Sequence, residues 1–72
     1  MPNQSFKIVR SYIDGCGGSI SYDCPPHRAL SREEAEHRLK TCMVYGKTLE
    51  QITKASEASH SGGWVYDIIE EH

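Results

Sequence analysis

The stretch FKIVRSYIDGCGGSISYDCPP, residues 6–26, constrains the fold more than any other part of the chain. FKIVRSYI is rich in β-branched and aromatic residues and predicts a strand over 6–13. The DGCGG that follows supplies the positive-φ positions of a tight turn. SISYDC then alternates, with Ile20, Tyr22 and Cys24 on one face and Ser19, Ser21 and Asp23 on the other, which predicts a half-buried strand over 19–24. Pro25 and Pro26 end it, because neither can donate to a ladder. Together these segments predict a β-hairpin with Cys16 at its tip and Cys24 at its base.

Beyond the hairpin the period changes from two to about 3.6. Ser31 and Glu34 make the S-x-x-E pattern of a capping box. Ala35, Leu39, Cys42 and Met43 form one apolar stripe and predict a helix over 31–45, closed by Gly46. Thr48 and Gln51 repeat the capping pattern before TLEQITKASEAS, whose stripe is Leu49, Ile52 and Ala55 or Ser56. SHSGG breaks the chain and WVYDII, residues 64–69, predicts a last strand. The expected fold is one α+β domain over 1–72, order β-β-α-α-β, with a three-stranded, mainly antiparallel sheet and helices on one face.

A chain of 72 residues buries only a thin core, so a metal, a disulfide or a second chain is a reasonable staple. The net charge of −2 argues against a nucleic-acid module. Such a module would need Lys7, Arg10, Arg28, Arg32 and Lys40 on one surface. Residues 1–47 carry seven Lys/Arg against five Asp/Glu, whereas residues 48–72 carry one against five. No apolar run is long enough for a membrane span, and MPNQSFKIVR lacks the pattern of a signal peptide. The expected compartment is therefore a reducing cytosol, where three cysteines are more often free or metal-bound than bridged.

Cys24-x-x-His27 has the local spacing of two zinc ligands. Further ligands for a structural zinc would come from Cys16, His37, Cys42 or His60. A helix running back along the hairpin would carry Cys42 toward Cys16, a candidate thiol pair, and leave Cys24, His27 and His60 as the candidate metal set at the base. The alternative is plain packing, since Cys24 and Cys42 lie on apolar faces where a thiol acts as a small hydrophobe.

No catalytic set emerges. Pro-Pro holds Cys24 and His27 apart, Glu33, Glu34 and Glu36 form a solvated helix face, and there is no phosphate loop or nucleotide fingerprint. The expectation is a binding protein and not an enzyme. Tyr12, Tyr45, Trp64 and Tyr66 are many amphipathic aromatics for so small a core. With Trp64 and one tyrosine taken into the core, the rest become candidate anchors for a partner. The acids Asp67, Glu70 and Glu71 beside Tyr66 would face basic groups on that partner.

FKIVRSY, LSREEAEHRL and GGWVYDIIEE resemble the outline of a family of very small phage and prophage accessory proteins. Those proteins open with a Tyr-Lys-Ile-Val-Arg type strand, carry a Leu-Thr-x-Glu-Glu-Ala helix start and close with Gly-x-Trp before an acidic tail. A histidine of that helix falls at Arg38 here, beside His37, and Cys16, Cys24 and His27 lie outside the pattern. The resemblance implies a phage or mobile-element origin. The function it implies is inhibition of a host defence protein by stoichiometric occlusion, in the manner of an anti-CRISPR antagonist of a Cas effector. The alternatives are a zinc-stabilised or homodimeric accessory protein and, third, a nucleic-acid-binding module.

Overall fold

The computed structural model describes residues 5–71; MPNQ, the start of the stretch compared with signal peptides, and the last histidine lie outside the described residues. In chain order the elements are β1 (Ser5–Asp14), β2 (Ser19–Asp23), a 3₁₀ turn (Pro25–His27), α1 (Arg32–Thr41), β3 (Met43–Val44), β4 (Lys47–Thr48), α2 (Leu49–Ala58) and β5 (Gly62–Glu71). The main sheet is three-stranded and antiparallel, in the order β2-β1-β5, and both helices pack against it. This is the α+β architecture that the sequence predicts.

The hairpin forms where expected, with Arg10 opposite Tyr22 and Tyr12 opposite Ile20, but β2 is not half-buried: all five of its residues are exposed, because the helices do not reach that edge of the sheet. Its tip is fastened by Asp14, whose Oδ1 accepts the backbone N–H groups of Cys16 and Gly18, each at 2.9 Å. β5 lies against the other side of β1 over the full length of both strands, from Ser5 opposite Glu71 to Asp14 opposite Gly62. Gly62 is required at that end: its φ is +79°, and a Cβ there would collide with the carbonyl oxygen of Ile13.

Both capping boxes are present. Ser31 Oγ accepts from Glu34 N–H at 3.1 Å, and Thr48 Oγ1 accepts from Gln51 N–H at 3.1 Å. The core is small, as the length dictates: Ile8, Leu30, Ala35 and Leu49 are buried, with Phe6, Leu39, Cys42, Val44, Tyr66 and Ile68 packed around them. A bridge between Phe6 and Leu30 ties the entry to α1 to the open end of the hairpin, through Phe6 N–H to Leu30 O at 2.8 Å and the return bond at 2.9 Å.

α1 is shorter than predicted. It ends at Thr41, and residues 43–48 form a two-stranded ribbon, β3 with β4, instead of a further helical turn. Tyr45 (φ +54°) and Gly46 (φ +79°) occupy the two central turn positions, the pattern of a type I′ hairpin. Gly46 is thus a turn residue and not a helix cap. Met43, expected in the core, is 60% exposed on the ribbon.

The helix–sheet core uses only part of one sheet face. β1 and β5 have ten residues each and extend about 33 Å, whereas each ten-residue helix extends about 15 Å. The core takes Phe6, Ile8, Tyr66 and Ile68 from that face. α2 runs along the outer side of β5, where Thr53 Oγ1 accepts the Tyr66 N–H at 2.8 Å and donates to Leu49 O at 2.9 Å. One edge of the sheet is therefore covered by a helix.

Candidate binding face

The residues left uncovered on the helix-bearing side of the sheet are aromatic. Alternation places Arg10 and Tyr12 of β1, Ile20 and Tyr22 of β2, and Trp64 and Tyr66 of β5 on one face, in the cross-strand rows Tyr22–Arg10–Tyr66 and Ile20–Tyr12–Trp64. Tyr66 joins the core; the others form a surface cluster. The Tyr12 and Trp64 rings meet edge to face at 5.1 Å, and Tyr22 leans on Trp64 at 5.8 Å. The Arg10 guanidinium sits over both Trp64 and Tyr22, at 4.7 and 5.9 Å from the ring centroids. Ile20 is 63% exposed, Tyr12 45% and Tyr22 44%.

An open groove of about 380 Å³ adjoins this cluster, lined by Arg10, Val44, Tyr45, Lys47, Ile52, Trp64 and Tyr66. Tyr45, at the tip of the β3–β4 ribbon, is 99% exposed. Its position follows from the type I′ turn, which points the side chain away from the domain. Arg10 and Lys47 form no ion pair among the described residues, so the groove carries unneutralised positive charge.

Of the residues singled out for partner binding, Tyr12 and Tyr45 lie at this face and are exposed, whereas Tyr66 is packed against the core. The three acids do not form one patch. Asp67 projects from the opposite face to Tyr66, because adjacent strand residues alternate. Glu71 is occupied within the fold: it is 3.7 Å from Arg28 and accepts the Ala29 N–H at 3.4 Å. Glu70 is exposed at the far end of the sheet, opposite Phe6. The sequence pattern assigns Trp64 to the core, Ile20 and Tyr22 to a half-buried face and Arg10 to a basic set, because their alternation is equally that of a covered face.

The basic set considered for nucleic acid is not one surface. Lys7 and Arg10, three residues apart in β1, point to opposite faces. Lys7 pairs with Asp23 at 3.2 Å, Arg28 with Glu71, and Arg32 with Glu36 at 3.5 Å.

The cysteines and histidines are also dispersed. Cys16, Cys24 and Cys42 are free thiols. The Cys42 carbonyl accepts the Leu49 N–H at 3.2 Å, which fixes Cys42 at the start of α2. Gly15 abuts the His60 carbonyl, beyond the other end of α2. The length of that helix, about 15 Å, therefore separates Cys42 from the hairpin tip that carries Cys16. His60 lies at the tip too, away from Cys24 and His27. Among the described residues no group of three or more His, Cys, Asp or Glu side chains is placed to hold a metal ion.

Cys24 and His27 do lie together, in a second pocket of about 300 Å³ whose walls include Arg10, Asp23, Leu49 and Tyr66. Pro25 and Pro26 do not hold them apart in an extended chain as expected: they start a 3₁₀ turn in which His27 N–H donates to the Cys24 carbonyl at 2.8 Å, so the contact between the two is a backbone turn. Burial pushes the Cys24 thiol above its ordinary range; the Arg10 charge and an Arg10 backbone bond oppose this, and Asp23 adds to it. Such a thiol is protonated and a poor nucleophile at neutral pH. Burial, and then the Arg38 charge, lower His27 below 6.5. Arg38 Nη1 donates to Pro26 O and lies 3.3 Å from His27 Nδ1. A guanidinium only donates, so Nδ1 accepts and the ring is neutral with its proton on Nε2.

No helix among the described residues is long and apolar enough to cross a membrane. The chain matches no family model, and neither the curated proteins nor the solved structures contain a significant match to it.

Proposed function

We propose that the chain is a small binding module that acts by occupying a partner protein, without turnover. The observation that carries this reading is the uncovered aromatic cluster of Tyr12, Tyr22 and Trp64 around Arg10, with Tyr45 projecting beside it. Folding stability favours covering such rings, and Tyr, Trp and Arg are the residues that dominate protein interface energetics. The matching partner surface is apolar, with carboxylate or carbonyl groups to meet Arg10 and Lys47. This reverses the polarity expected from the acidic C-terminal third, because Asp67, Glu70 and Glu71 are spread over both faces.

The finer reading is an inhibitor of a host defence protein such as a Cas effector, encoded by a phage or mobile element. It rests on the resemblance of the FKIVRSY, LSREEAEHRL and GGWVYDIIEE stretches. The test has two arms. Capture from bacterial lysate on the immobilised chain should retain a partner that is lost with Tyr12→Ala plus Tyr22→Ala and kept with Glu70→Lys. Titration of that partner's activity should then saturate near one equivalent. Full inhibition at a small fraction of an equivalent, with covalent change in the partner, would show an enzyme. A shift of Trp64 fluorescence on adding a single-stranded oligonucleotide would favour base stacking on the same rings.

A further inference from the structure

The two edges of the sheet are treated differently. The β5 edge is covered by α2, with the Tyr66 N–H taken up by Thr53. The β2 edge has no cover: all five residues, Ser19–Asp23, are exposed. Its backbone polarity is fixed by β1. Phe6 exchanges bonds with Leu30, and the Asp14 N–H donates to Gly18 O at 3.1 Å, so the even-numbered residues of β1 turn their backbone groups toward β2. Arg10–Tyr22 and Tyr12–Ile20 are then the hydrogen-bonded pairs of the hairpin. Ser19, Ser21 and Asp23 turn both N–H and C=O outward, where no other described element bonds them.

We propose that this edge pairs with a second copy of the chain, β2 antiparallel to β2 and centred on Ser21, to give a continuous sheet in the order β5-β1-β2-β2-β1-β5. The sequence SISYD is self-complementary in that register. Ser21 meets Ser21 and Ser19 meets Asp23 as hydrogen-bonded pairs that use every outward N–H and C=O of the strand. Ile20 meets Tyr22 of the other copy in the close, non-hydrogen-bonded positions, on the aromatic face. No like charges oppose one another: Asp23 faces a serine and is already neutralised by Lys7 at 3.2 Å. The strand carries no lysine, proline or bulge of the kind that guards free edges; Pro25 and Pro26 come just after it and limit the joint to these residues. The two-fold axis stands perpendicular to the sheet, so the aromatic clusters of both copies lie on one side and become continuous. The dimer stands independently of the partner reading above.

The test is the mass of the full chain by sedimentation equilibrium from micromolar to millimolar concentration. The parent should approach twice the monomer mass, and isotope-filtered NMR of a mixed-label sample should show Ile20–Tyr22 contacts between copies. Ser21→Pro removes an outward N–H without touching the β1 ladder and should halve the mass, while Ser21→Ala should leave it dimeric. Should Ser21→Pro fail to fold, Ile20→Glu at an exposed position serves the same purpose. A monomeric parent at millimolar concentration, with unprotected Ser21 and Asp23 amides, overturns the proposal. So does a dimer that survives both Ser21→Pro and Ile20→Glu, or a β2 edge found occupied by a different protein.

Discussion

The guanidinium of Arg10 lies over the indole of Trp64, 4.7 Å from the ring centroid, on the part of the helix-bearing sheet face that the helices leave uncovered. Arg10 has no carboxylate partner among the described residues, so the rings are its main neighbours. The two residues should be coupled. A double-mutant cycle with Arg10→Met and Trp64→Leu, read by urea unfolding, should give an interaction energy of about 0.5–1 kcal/mol. Strict additivity would mean that the guanidinium is solvated and the stacking contributes nothing.

Tyr45 separates stability from binding. It sits at φ +54°, where a non-glycine residue is strained by roughly 1–2 kcal/mol, and its ring is fully in solvent. Asn-Gly suits a type I′ turn better than Tyr-Gly. Tyr45→Asn should therefore raise stability by roughly 0.5–1 kcal/mol while weakening capture of a partner by the groove. Loss of stability in thermal unfolding would show that the tyrosine serves the fold.

Much of the fold is legible because its signals are local. Ser31 with Glu34, and Thr48 with Gln51, each bond backbone groups three residues away, and each is readable from spacing alone; the Asp14 bonds at the hairpin tip are equally local. The end of α1 is not readable in that way. Gly46 suits a helix C-cap and a hairpin turn equally; here the chain takes the turn, and the hairpin is closed by the bond from Leu49 N–H to Cys42 O, the next rung of the β3–β4 pairing. The candidate face was hidden for a related reason. Trp64 and Tyr66 are two apart on one strand and look alike in a pattern of period two; how far the helices reach along the sheet decides which is covered. The acids failed as a group because neighbours in sequence part company on a strand: Asp67 and Glu70 leave from opposite faces, and Glu71 is drawn to Arg28.

The shortened α1 changes which positions carry stability. Leu49 is 1% exposed at the centre of the core, and Leu49→Ala should cost about 2–5 kcal/mol. Met43, just past the end of α1, is on the ribbon, and Met43→Ala should lie within about 0.5 kcal/mol of the parent. Chemical denaturation of the two variants distinguishes this arrangement from a helix that continues to residue 45, in which both would be costly.

The seal on the β5 edge can be tested through one hydroxyl. Thr53 Oγ1 bonds both Leu49 O and Tyr66 N–H. Thr53→Val keeps the shape and removes both bonds, leaving a half-buried amide unpaired at a cost of about 1–3 kcal/mol. Hydrogen exchange at the Tyr66 amide should accelerate beyond the general loss of stability. An unchanged Tyr66 exchange rate, relative to its neighbours in β5, would show that α2 covers the edge without that bond.

His27 gives the domain a pH dependence of definite sign. Burial and the Arg38 charge lower it below 6.5, so the folded state binds its proton less readily than the unfolded chain. The stability associated with the neutral ring is fully present above 6.5 and is lost as pH falls through that value toward the lower folded one. Protonation would also set a second positive charge against Arg38 Nη1, 3.3 Å from Nδ1, where the ring nitrogen now accepts. The melting temperature of the parent should therefore fall between about pH 7 and about pH 5 more steeply than that of His27→Gln, whose amide oxygen still accepts from Arg38 but takes no proton. The difference between the two curves isolates His27 from carboxylates that titrate lower. Parallel curves would mean that the ring is solvated in the folded protein and that the Arg38 contact has no hold on its protonation.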